Sequence, residues 1–281
     1  MKWINFDLIT NNIYSMKSNV YVLFLLFVAL FASCKKDKSD PFFPGQLTLL
    51  KSEINSSFDS LNSSIADAVA VFEASGFDSV AMRTKLLELY NESSFAAEFV
   101  YTTPDGILAI IEPSEYYIYE GLDIRNQPHV IKAFQTRQPV LSDGFTVVEG
   151  YQAAVTIHPI IHNNQLIGAI SAVIVPSDLL SRIIKPVVEN QEFEVWVMEK
   201  TGLTLYDQDE EEIGINVLTH PMYDDFPVLR QACVKMAAEE SGETSYSFYQ
   251  TGTNIVVNKK TYWNTFHMQG NQWKIIYVKP E

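Results

Sequence analysis

Residues 99–111 read FVYTTPDGILAII. Two runs of aromatic and β-branched residues flank Thr103, Pro104, Asp105 and Gly106. Proline presets the first turn position and glycine accepts the positive φ that a tight reversal needs, so the stretch predicts a β-hairpin. A second stretch of the same kind follows at 193–206, FEVWVMEKTGLTLY, with its turn at Lys200, Thr201 and Gly202. Each hairpin precedes a helical pattern (128–134 and 227–238). Each pattern precedes three strand candidates, at 145–148, 153–161 and 166–175, then at 245–250, 258–267 and 272–278. Turns at 162–165 and 269–271 join the last two strands of each set, and a helical stretch at 177–188 separates the sets. The repeated order predicts an internal structural duplication, carried by element order rather than by residue identity.

Upstream, Leu47, Ile54, Phe58, Leu61, Ile65, Ala68 and Phe72 recur at three- and four-residue spacing. That spacing places them on one face of a helix roughly 40 Å long. Gly76 is expected to end it, and Asp78 or Ser79 to cap a second helix bearing Met82, Leu86, Leu87, Leu89 and Tyr90. The expected fold is α+β, a long N-terminal helix followed by two antiparallel-sheet modules. The expected boundaries are a helical spine over 46–92, a first module over 93–190 and a second over 191–281.

The N-terminus carries an address. Residues 20–33, VYVLFLLFVALFAS, form an apolar run of 14 residues, shorter than the roughly 17 needed to span a bilayer. Lys17 precedes the run, and Cys34 and a charged segment follow it. The order reads as a signal peptide over 1–33, which Met16 begins more conventionally than Met1. With small Ala32 and Ser33 before Cys34, and Phe31 at −3, it resembles the lipobox of prokaryotic lipoproteins. The resemblance implies lipidation of Cys34, a lipidated tether over 34–45 and a soluble body at the cell surface or in the periplasm. Each buried methylene contributes about 0.8 kcal/mol, so two or three acyl chains anchor a protein stably where one does not.

The formal net charge is −14, and removing residues 1–33, with two lysines and one aspartate, makes it −15. Such acidity argues against nucleic acid as a partner. With Cys34 lipidated, Cys233 is left without a disulfide partner, and its helical pattern predicts a buried apolar thiol.

Catalytic and metal motifs are absent from the sequence. There is no phosphate-cradling glycine loop, no Gly-x-Ser-x-Gly elbow and no His-Glu-x-x-His helix. His158 and His162 lie on a predicted strand about 13 Å apart, too far to share a metal. The run Asp207, Asp209, Glu210, Glu211 and Glu212 lacks the EF-hand glycine and terminal bidentate glutamate, so it reads as a solvated acidic turn. Trp196, Trp263 and Trp273 fall on predicted strands and are expected in the core. The chain is therefore expected to be no enzyme and to need no metal or cofactor.

Taken in order, Thr103 to Gly106, the 121–125 segment GLDIR, Pro128 to Val130, Pro159 with the 166–168 segment LIG, the 195–198 segment VWVM, Gly202, the 213–216 segment IGIN and the 273–276 segment WKII resemble the double Cache domain. This is a PAS-like extracellular sensor of prokaryotic chemoreceptors and histidine kinases. Residues 193–198 and 206–214 are similar to Cache proteins of methanogenic archaea. The resemblance implies a ligand site in the first module, between its sheet and the segment before the central helix. In amino-acid-binding members that segment carries an Arg followed by Trp-Tyr, and a later strand supplies an Asp. Here Arg125 is followed by Asn126, Gln127, Pro128 and His129, and the later strand has no matching Asp. Arg125 remains the candidate for a carboxylate, with Tyr117, Tyr119 and Tyr151 as pocket walls and His129 and His158 as further lining. The expected function is non-catalytic binding of a small organic molecule, a carboxylate being the anionic candidate. Ligand or signal would pass to a separate membrane receptor or transporter. The alternatives are a structural or adhesive surface lipoprotein and, further off, a hydrolase.

Overall fold

The computed structural model describes residues 44–281. The signal-peptide and Cys34 readings lie outside the described residues. Helix α1 (Gly45–Ser75) buries Leu47, Leu50, Ile54, Phe58, Leu61, Ile65, Ala68, Val69 and Phe72, the face that the spacing defines. It stops at Gly76 (φ 81°), whose N–H donates to the Phe72 carbonyl at 2.8 Å. Helix α2 (Ser79–Glu92) starts where Asp78 Oδ1 accepts from the Ala81 N–H at 2.8 Å, an N-cap that satisfies one orphan donor.

Two antiparallel sheets follow. The first contains β1 (Ala96–Thr102), β2 (Leu108–Glu112), β3 (Val140–Leu141), β4 (Phe145–Thr146), β5 (Gln152–His162) and β6 (Gln165–Ile174), in the order β2-β1-β6-β5-β3 with β4 also paired to β5. Between β2 and β3 lie a 3₁₀ turn (Ser114–Tyr119) and helix α3 (Pro128–Thr136). Helix α4 (Pro176–Val188) leads to the second sheet. Strands β7 (Glu194–Glu199), β8 (Thr204–Tyr206), β9 (Ser241–Tyr249), β10 (Val256–Met268) and β11 (Asn271–Pro280) run in the order β8-β7-β11-β10-β9, with α5 (Pro227–Ala238) between β8 and β9. Both sheets thus place the first hairpin beside the last strand. This is the tandem Cache-like architecture. The strand expected over 145–148 is reduced to two residues, because the chain turns back at Gly150 (φ 92°), where the Val147 N–H meets the Tyr151 carbonyl.

The long helix serves both sheets. Phe58 packs on Phe266 and Trp273 of the second, each at 5.3 Å between ring centroids, and on Phe95 just before β1 at 6.3 Å. One turn later, Asn62 Oδ1 lies 3.1 Å from His158 Nε2 and accepts from Gln269 Nε2 at 2.9 Å. The sheets also meet directly. Glu199 Oε1 accepts from the Gly144 N–H at 2.7 Å, and Asn271 Nδ2 donates to the Ser142 carbonyl at 2.6 Å. Trp263 and Trp273 are fully buried, and Cys233 is a buried thiol whose pKa burial pushes up to about 12.

Candidate ligand-binding site

Strand alternation gives the first sheet two buried faces. Phe99, Thr156, His158 and Ile170 face the helical spine, whereas Glu98, Val100, Thr102, Val155, Ser171 and Val173 line a pocket on the other side. The pocket is roofed by the chain leaving β2. The Leu108 N–H donates to the Leu122 carbonyl, the Gly121 N–H to the Leu108 carbonyl, and the Ile124 N–H to the Gly106 carbonyl, at 2.7 to 2.9 Å. Gly106 (φ 80°) is required there, since a Cβ would lie 2.5 Å from Arg125 Cα. Pro128 then begins α3 at a position needing no N–H, and Gln127 and His129 beside it reach the pocket. Phe145, Val147 and Glu149 complete the wall around about 430 Å³, part of it open to solvent.

The polar chemistry centres on Glu98, 1% exposed. Its Oε1 accepts from the Tyr151 hydroxyl at 2.5 Å. Burial raises its pKa from 4.5 to about 7; the Tyr151 hydrogen bond opposes this rise and Glu149 adds to it. Burial also holds His129 down at about 4, so the ring is neutral at physiological pH. The Thr102 hydroxyl is buried without a hydrogen-bond partner among the described residues, and Ser171 lines the pocket beside it on the neighbouring strand. No lysine or arginine lines this pocket. A neighbouring opening of about 800 Å³ shares Gln127, His129 and Phe145 with it and includes Lys132.

The six residues singled out from the sequence are dispersed. His129 lines the pocket, and Tyr151 reaches it through Glu98. Tyr119 is partly buried against the adjoining core. Tyr117 turns outward, its ring 4.5 Å from the Arg83 guanidinium and its hydroxyl bonded to Glu112. Arg125, the candidate carboxylate clamp, is exposed, paired with Asp123 at 2.8 Å, and is not among the residues that line the pocket. His158 is on the spine face, held by Thr156, Asn62 and Gln269, because it has the opposite strand parity to Val155. Sequence reasoning passed over Glu98, Thr102, Ser171, Gln127 and Glu149. The one available signal was a carboxylate inside the apolar strand 96–101, in step with Val100.

The acidic run at 207–212 also departs from expectation. Asp207 and Glu212 line a cavity of the second module rather than a solvated turn. Trp196 is in the second module's core, as expected, and also lines that cavity.

The sensor-domain family described as HK/GC/Chemotaxis protein-like matches residues 56–176, from the spine to the end of β6. No curated protein sequence matches the chain. Among solved structures, an extracellular ligand binding receptor from Desulfohalobium retbaense is similar at 26% identity and a TM-score of 0.71 over 86% of this chain. The match covers 41% of that receptor's length, so the chain corresponds to about two fifths of it. The ligand-binding domain of the Pseudomonas aeruginosa amino acid chemoreceptor PctC, in complex with GABA, has 15% identity and a TM-score of 0.62, covering 84% of this chain and 96% of that one. That of the Pseudomonas fluorescens chemoreceptor CtaA, in complex with L-serine, has 12% identity and a TM-score of 0.63, covering 84% and 94%. At 15% and 12% identity the likeness is one of fold.

Proposed function

We propose that this chain is an extracytoplasmic, non-catalytic sensor module that binds a small organic molecule in its first-module pocket. It is held at the membrane through lipid on Cys34 and passes ligand or signal to a separate membrane receptor or transporter. The carrying observation is Glu98, buried in the same pocket as the Thr102 hydroxyl, which has no hydrogen-bond partner among the described residues. An unsatisfied buried polar group costs about 1–3 kcal/mol, and a ligand that hydrogen-bonds these groups recovers part of that. The related chemoreceptor domains contain amino-acid ligands in their structures, which supports a small polar ligand. The pocket here carries acids and no cation, so it favours an ammonium or hydroxyl group on Glu98 over a carboxylate.

The test is a thermal-shift screen of amines, polyols and carboxylates, followed by calorimetry on the hits. A hit is expected to bind wild type and to lose about tenfold or more in Glu98→Gln, the scale of a hydrogen bond to a charged group. Binding that survives Glu98→Gln and Thr102→Val would remove the ligand from this pocket. Absence of any hit would favour the structural lipoprotein. For the anchor, Cys34→Ser is expected to move the protein from the detergent phase to the aqueous phase, and unchanged partitioning would refute lipidation.

A further inference from the structure

The second module has a cavity of its own, of about 950 Å³ and open to solvent, with a different charge pattern. Its walls are aromatic, formed by Trp196, Tyr223, Tyr246, Phe248 and Tyr249. Its carboxylates outnumber its cations. Glu194, Asp207, Asp209, Glu211 and Glu212 line it against the single ammonium of Lys259, and that ammonium is already paired with Glu194 at 2.6 Å. Asp207 and Glu212 form no ion pair among the described residues, Lys259 acting on them only at longer range. Asp207 Oδ1 accepts the Asp209 N–H at 2.9 Å, and Glu212 Oε2 accepts the Tyr223 hydroxyl at 2.8 Å. Thr204 points to a ligand independently of the acids. It lines the cavity, is 2% exposed, and its hydroxyl makes no hydrogen bond among the described residues.

We infer that this cavity is a second ligand site, for a small organic ammonium compound held by Asp207 and Glu212 against the aromatic wall, with Thr204 as a further hydrogen-bond partner. A cation here replaces water around two carboxylates that only the more distant Lys259, already paired with Glu194, offsets, and the ring faces attract it as well. Burial raises the pKa of both acids, with Glu212 adding to the rise at Asp207 and Asp209 to that at Glu212, while Lys259 only partly opposes it. A divalent metal fits less well, because no group of three or more ligating side chains is arranged to hold one among the described residues.

The experiment is calorimetry on the intact protein with 1,4-diaminobutane and 2-phenylethylamine. Butane-1,4-diol, succinate and calcium chloride are run as controls. At least one amine is expected to bind wild type, with the diol and succinate silent. Asp207→Asn with Glu212→Gln is expected to weaken it about tenfold or more without lowering the melting temperature of the unliganded protein, since a charge removed there relieves desolvation. Glu98→Gln is expected to leave this affinity unchanged, which separates this site from the first-module reading. If the double variant does not fold, Thr204→Val is expected to weaken binding several-fold. The inference falls if neither amine binds, if calcium alone binds and is lost with Asp207, or if amine affinity follows Glu98 instead of Asp207 and Glu212.

Discussion

The two modules repeat one backbone device but treat the strand acid beside it differently. In the first, Leu108, Gly121 and Ile124 donate to Leu122, Leu108 and Gly106; in the second, Thr204, Gly214 and Val217 donate to Ile215, Thr204 and Gly202. Gly106 and Gly202 both have φ near 90°, at 80° and 91°. Counting back from these glycines, Glu98 of β1 corresponds to Glu194 of β7. Through the ladders, Glu98 faces Val173 and then Val155, while Glu194 faces Val278 and then Thr261. Ala153 in β5 therefore stands where β10 has Lys259. In the second module the ammonium neutralises the strand acid; in the first the acid is left to Tyr151 alone. The same strand position thus becomes an ion pair in one module and a titratable pocket group in the other.

The largest expected effect concerns the spine that makes the modules one body. Phe58→Ala removes a fully buried ring packed on the second sheet and on Phe95 at the entry to the first, and should cost about 3–5 kcal/mol in chemical denaturation. A single shifted transition is expected; two separated transitions would break the picture of modules unified by α1.

The next effect is pH dependence. Glu98 in the first module and Glu199 at the junction both have pKa values raised from 4.5 to about 7, chiefly by burial. The folded state then holds a proton that the unfolded state has released. Each carboxyl's contribution is full below about pH 4.5, declines as pH rises to 7 and is flat above. Two and a half units correspond to about 3 kcal/mol per group at most. Glu98→Gln should therefore gain stability relative to wild type between pH 5 and pH 8. A parallel pH profile for the two proteins would show that Glu98 is not desolvated.

Lys259→Ala should leave the strand acid of the second module unpaired, as its counterpart is in the first. It leaves Glu194 without its cation and should cost about 2–3 kcal/mol, below the full value for a buried pair because the Glu194 side chain is 23% exposed. Equal stability in urea would mean that the pair is fully solvated. The smallest effect is at Arg125, exposed beside Asp123. Arg125→Ala should leave both melting temperature and ligand affinity unchanged; loss of affinity would return the clamp to the site.

The sequence by itself determined the element types, the duplication and the buried face of α1. Each rests on a periodicity that neighbours along the chain suffice to express. Leu47 to Phe72 could form only one apolar stripe, and Thr103 to Gly106 could hardly do anything but turn. Only the tertiary structure decided which strand residues face the pocket. Period-two alternation sorts residues into two sets, but here both faces of the first sheet are covered, one by the spine and one by the segment roofing the pocket. Polarity therefore did not mark the pocket side. His158 and Glu98 both looked like polar residues in apolar strands, and parity against distant elements placed one on Asn62 and the other in the pocket. Arg125 was turned outward by a contact no local pattern contains, the crossing of its Cα over Gly106. The acids at 207–212 looked solvated because their neighbours in sequence are polar; the tyrosines, phenylalanine and tryptophan that enclose them arrive from β7, β9 and the loop before α5.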